Sequence, residues 1–196
     1  MKKLPILISM LFLILTACGG SDDNNNIPPA VGQSFNFDGQ TYTLLGLQGI
    51  TEAKMENVMD IDGVQYDRST ISLIGLQGFV KTATVSFDVY YKHGMTVAGT
   101  YNIFDDIDES SFDTYLGARD RACLGWVSQA SAFDNMSGID TSANNPSGTV
   151  TIVVNSPTNY TIQYTGNFKV YDDGFTFVRN APTVVNVTGA VEDFSN

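Results

Sequence analysis

A chain of 196 residues, 43% hydrophobic, 11% aromatic and 16% charged, with a formal charge of -11, allows one globular domain and a tether. One histidine (His93) and two cysteines (Cys18, Cys123) exclude a disulfide scaffold once Cys18 is otherwise engaged, and a zinc site of three or four His/Cys ligands. With 21 acids against 10 bases, the chain lacks the basic footprint that a nucleic-acid partner requires.

Lys2 and Lys3 open the chain, and Leu4 to Leu15 is an apolar run of about a dozen residues. That is a signal-peptide core, since spanning a bilayer takes about 20 residues. The run ends in Leu15-Thr16-Ala17-Cys18, followed by Gly19-Gly20. This arrangement resembles the bacterial lipobox. The resemblance implies that residues 1–17 are a removed lipoprotein signal peptide and that Cys18 carries a diacylglyceryl group and an amide-linked acyl (palmitate-type) chain. With each buried CH₂ contributing about 0.8 kcal/mol, such an anchor holds the chain to a membrane. No later segment reaches the 18 or so continuous apolar residues of a spanning helix.

Residues 18–32 read as the acylated cysteine and a disordered tether, with few apolar groups to offset ordering entropy. Its reach is roughly 20 Å. Ser21-Asp22-Asp23 resembles the acidic signal that sends some Gram-negative lipoproteins to the outer face of the outer membrane; the alternative is a plain solvated spacer. From Cys18 onward there are eight bases against 21 acids, a formal charge of -13 that opposes anionic headgroups.

Residues 33–196 read as a single all-β domain, an antiparallel β-sandwich, with a closed lipocalin-like β-barrel as the alternative. Phe35–Phe37 and Thr41–Leu45 flank Asp38-Gly39; Met55–Asp60 and Val64–Tyr66 flank Asp62-Gly63; Phe168–Tyr171 and Phe175–Val178 flank Asp173-Gly174. Asp-Gly between β-rich runs is a hairpin signal. Further strands are expected at Ile71–Leu76, Thr82–Tyr91, Met95–Ile103, Arg121–Ser128, Gly148–Val154, Asn159–Tyr164 and Thr183–Val191. In Thr82–Tyr91, Val85, Phe87, Val89 and Tyr91 share a buried face, leaving Ser86, Asp88 and Tyr90 on a wet one. Between Phe104 and Asp120 an irregular loop is expected: Phe112, Tyr115, Leu116 and Arg119 have helical spacing, but Gly117 costs a helix interior about 1 kcal/mol. Phe133 to Ser147 reads as a long loop. Leu44–Gly49 and Leu73–Gly78 repeat one pattern 29 residues apart, which suggests two equivalent strands each ending in a glycine-relieved bulge.

The motifs Gly99-Thr100-Tyr101 and Gly148-Thr149-Val150-Thr151, with the closing strands, resemble β-rich surface lipoproteins without established activity. That likeness implies a small all-β lipoprotein domain and transfers no site residues.

Catalytic residues are not identified. Cys123 lies in apolar Ala-Cys-Leu-Gly-Trp, where a thiol is a packing group, and His93 reads as an exposed turn residue. No Gly-x-Ser-x-Gly elbow is present. Calcium is the one cofactor considered, through the hard oxygens of Asp105, Asp106, Asp108 and Glu109; Asp60, Asp62 and Asp67 read instead as a turn. Trp126, Tyr115 and Phe112 are the candidate ligand-binding aromatics, with core packing of Trp126 as the alternative. The expected function is a non-enzymatic binding role for a lipid-anchored envelope or surface lipoprotein, with a glycan, small ligand or protein as partner. The alternatives are a polysaccharide-directed hydrolase using paired carboxylates and a structural accessory subunit of an outer-membrane complex.

Overall fold

The computed structural model describes residues 33–45, 49–78, 81–104, 111–131, 141–144, 146–171 and 176–195, and Cys18 lies outside them. Two hairpins form where Asp-Gly directs them. β1 (Ser34–Phe37) turns through Asp38 and Gly39 into β2 (Gln40–Leu44), and β3 (Ile50–Ile61) turns through Asp62 and Gly63 into β4 (Val64–Gln77). Both residues of each turn have positive φ, between 52° and 80°. That is the twist of a type I′ hairpin, which Asp and Gly tolerate. The pair Asp173-Gly174 lies outside the described residues.

The chain continues through β5 (Lys81–Lys92), β6 (Gly99–Asn102), helix α1 (Phe112–Arg119), β7 (Arg121–Ser131) and β8 (Thr141–Asn144). It closes with β9 (Thr149–Ser156), β10 (Asn159–Tyr171), β11 (Phe177–Ala190) and β12 (Glu192–Asp193). The fold is all-β, one curled and mostly antiparallel sheet that forms a half-barrel. Its broad parts are β3-β4-β5-β7 on one side and β11-β10-β9-β6 on the other, joined at their corners by short strands. The β1–β2 hairpin pairs β11 at Asn36–Val184 and β4 at Leu44–Gly75. β8 pairs both β7 and β10. β12 pairs in parallel with Thr51 and Glu52 of β3.

The main core lies between the two broad parts. Phe87 of β5 meets Tyr164 and Phe168 of β10 at ring separations of 5.3 and 6.4 Å, and Phe37 of β1 meets Phe168 at 6.2 Å. Each such pair contributes about 0.5–1.5 kcal/mol beyond its area. Gly75 is needed where it stands, because a Cβ there would sit 2.7 Å from both the Phe35 ring and Tyr42. Those two rings stack over it at 5.5 Å. Register between β4 and β5 runs unbroken from Tyr66 to Gln77, so the glycine admits aromatic rings and makes no bulge there. Residues 46–48 of the first repeat lie outside the described residues.

Four further expectations are corrected. The stretch before Arg121 contains α1, because Phe112 and Leu116 lie one turn apart and bury against Tyr66, Tyr90, Phe104 and Ala122. That packing outweighs the propensity cost of Gly117, whose missing side chain lets the helix approach Ile61. The loop expected over Phe133–Ser147 contains β8, a polar strand that exists only through its neighbours. Of the strand expected at Met95–Ile103, only Gly99–Asn102 is a strand. The wet face of β5 is also buried: Ser86, Asp88 and Tyr90 are 2%, 8% and 8% exposed. α1 covers Tyr90, whose ring lies 5.0 Å from Phe112, and the side chains of flanking β4 and β7 screen Ser86 and Asp88.

Candidate functional site

The alternation of β3 turns Glu52 and Lys54 to the inner face, opposite Ile71 and Ser69 of β4. Where β5 ends and β10 begins, these two residues line a cleft of about 490 Å³ with Tyr91, Tyr160 and the C-terminal Asp193 and Ser195. Its remaining wall is mixed, with Met95, Val97, Pro157 and Val191 beside the polar Thr96 and Thr158. The C-terminus is fastened there by backbone bonds: the Phe194 N–H donates to the Glu52 carbonyl at 2.7 Å.

The cleft has polar groups on a tyrosine floor. Glu52 is 8% exposed, and the Tyr160 hydroxyl donates to its Oε2 at 2.7 Å. Burial, then the hydrogen bond and negative charge of Glu52, push the Tyr160 phenol well above its ordinary range. The Tyr91 hydroxyl shares a 2.9 Å hydrogen bond with Ser69, and burial raises its pKa too. Lys54 turns to Glu56, with Nζ to Oε1 at 3.0 Å, which holds the amine protonated beyond its usual range. The Ser195 hydroxyl, and with it the Ser195 N–H at 2.8 Å, lowers the Asp193 carboxyl pKa.

Beside the cleft, Asp67 is 1% exposed. Burial alone would raise its pKa, yet the carboxyl is held below the ordinary value by the Asn57 N–H and the His93 ring, each at 2.9 Å from Oδ1. Asn57 sits at a register irregularity of β3 with φ of 52°. His93 is therefore an exposed turn residue, as read from sequence, and in addition the outer partner of a buried acid.

The outward face of β4-β5-β7 carries the other polar group. Register aligns Ser72, Ser86 and Trp126 across the three strands, and Thr70, Asp88 and Leu124 beside them. The Ser72 and Ser86 hydroxyls bond at 2.9 Å. Asp88 accepts from Thr70 and lies 3.8 Å from Arg68 Nη1. Burial outweighs both partners and raises its pKa. Arg68 Nη2 meets Met55 Sδ at 2.9 Å, while its buried Nε has no hydrogen-bond partner.

Trp126 is half-buried on this face. Phe112 is buried in the cluster under α1, with its ring 5.0 Å from Tyr90 and 5.3 Å from Phe104. Tyr115 is half-buried, packing on Phe104 at 5.1 Å under the Arg119 guanidinium. Phe112 therefore packs the fold and offers no stacking surface, because its helix turns it toward the sheet. Asp105, Asp106, Asp108 and Glu109 lie outside the described residues. Asp60 accepts the Gly63 N–H at 2.9 Å as a turn residue. Among the described residues no group of three or more His, Cys, Asp or Glu side chains is placed to hold a metal. Cys123 is fully buried and its thiol pKa is pushed up by burial, which makes it a packing group.

Sequence reasoning missed the cleft. Glu52 and Tyr160 are 108 residues apart, and neither stood out from the other acids and tyrosines. Comparison with protein-family models, with curated proteins and with solved structures finds no match.

Proposed function

We propose that this chain is a lipid-anchored envelope lipoprotein whose β-domain binds a small ligand in the Glu52–Tyr160 cleft, without catalysing a reaction. The lipobox-like Leu15–Cys18 run supports the anchor. The observation that carries the binding reading is a cleft of about 490 Å³ whose floor is a buried carboxylate hydrogen-bonded to a tyrosine. Small-molecule sites have this size and converging polar groups that fix the ligand. An outer-membrane location, with the domain kept off the anionic surface by its charge, fits the acidic tether.

Two experiments test the reading. Cys18→Ala should release the chain from the membrane fraction and remove the mass of the fatty acids; firm retention without that mass overturns the anchor. For the ligand, fragments (sugars, amines, carboxylic acids) are titrated into the isotope-labelled full chain in non-ionic detergent. Amide shifts should gather at Val97, Tyr160 and Ser195. Shifts absent from the cleft overturn the reading of it as the site. A second reading, a glycan laid on the outward face, is favoured by half-buried Trp126 beside the Ser72 and Ser86 hydroxyls. It predicts shifts there that Trp126→Ala abolishes.

A further inference from the structure

Resting on the reading of the cleft as a ligand site, we infer that the ligand is a small organic cation, a primary ammonium compound for which Glu52 is the counter-ion. Glu52 is only 8% exposed, and it lines the cavity. The carboxylate's only described hydrogen bond is from Tyr160, to Oε2. Among the described residues no lysine, arginine or histidine lies within ion-pair distance of it. Buried charges are ordinarily paired, so a carboxylate left without a cation in a cavity wall is a binding feature awaiting its partner.

The surroundings favour the same sign. Lys54, the one cation among the described lining residues, is engaged by Glu56. Aromatic rings, here Tyr91 and Tyr160, suit ammonium groups. The apolar side chains of Val97, Pro157 and Val191, set among the threonines of the wall, accommodate a short methylene chain. The charge of -13 from Cys18 onward concentrates cations around the domain and repels anions. A neutral sugar would leave the Glu52 charge unpaired, and an anion would be opposed by it.

The test titrates putrescine, glucose and citrate separately into the full chain in non-ionic detergent, following the cleft amides by NMR. Putrescine should bind, more weakly as salt rises, and Glu52→Gln should weaken it about tenfold or more, the factor one charge-assisted hydrogen bond carries. Lys54→Gln removes a positive charge from the cleft, so it should tighten putrescine binding; for an anionic ligand the sign reverses. Unchanged spectra away from the cleft show that each variant is folded. Putrescine binding that is indifferent to Glu52→Gln, or weakened by Lys54→Gln, overturns the inference. If glucose shifts the cleft amides and putrescine does not, the cation falls while the cleft remains a ligand site. If none of the three shifts them, the inference falls, and the fragment screen decides the binding reading separately.

Discussion

The centre of the half-barrel and its cleft are built by the same strands with the same alternation, yet they differ in chemistry. At the centre, inward positions of β5 and β10 carry Phe87, Tyr164 and Phe168, with ring edges filling the space between the layers. Where β5 ends and β10 begins, inward positions of β3, β4 and β5 carry Glu52, Lys54, Asp67, Ser69 and Tyr91. Burial and dispersion hold the first region. The second depends on a set of named hydrogen bonds, and part of it faces a cavity. A polar group under a sheet is stable only with its partners in place, so the cleft end is specialised.

That contrast is broken first at the centre. Phe168→Ala removes a fully buried ring that touches Phe37, Phe87 and Tyr164. It should cost about 3–5 kcal/mol in urea unfolding at unchanged m-value. A loss near 1 kcal/mol would mean that the aromatic centre is not what holds the layers together. Next comes Asp67→Asn, which removes a buried charge held by Asn57 and His93. A loss of about 1–3 kcal/mol is expected at pH 7. Since the folded pKa of Asp67 is lowered, its contribution is present above the ordinary carboxylate pKa and disappears as pH falls through the lowered value. Denaturation midpoints against pH should therefore have a shallower acid limb in the variant, and an identical limb would remove Asp67 from the account. The smallest effect belongs to Tyr160→Phe, which keeps the ring and removes one donor from Glu52. About 1 kcal/mol is expected, because the cleft lets water take up the freed oxygen.

Much of the strand framework was legible. Asp38-Gly39 and Asp62-Gly63 both form the hairpin turns their residue types require, since positive φ at two successive positions admits few side chains. The inward set Val85, Phe87, Val89 and Tyr91 is buried as period two predicts. α1 was hidden because its two buried residues, Phe112 and Leu116, make a weak local pattern interrupted by Gly117. What forms the helix is the apolar patch of Tyr66, Tyr90 and Ala122 beneath it, contributed by three strands. β8 was hidden for a related reason: Thr141–Asn144 has no apolar alternation, and its hydrogen bonds come from β7 and β10. Of the candidate aromatics, Trp126 retains a half-open position, and Phe112 became core once the helix turned it inward.

By itself the order of residues determined the all-β character, the two Asp-Gly hairpins, the inert setting of Cys123 and the acidic balance. These follow from nearest-neighbour sterics, side-chain period and charge counting, which need no distant partner. Only the folded arrangement decided that Glu52 meets Tyr160 across 108 positions and that Asp67 meets His93 across 26. Such pairings depend on which strands become neighbours and on how far the sheet curls. Both are set by the packing of the whole interior, and no short stretch of sequence contains them.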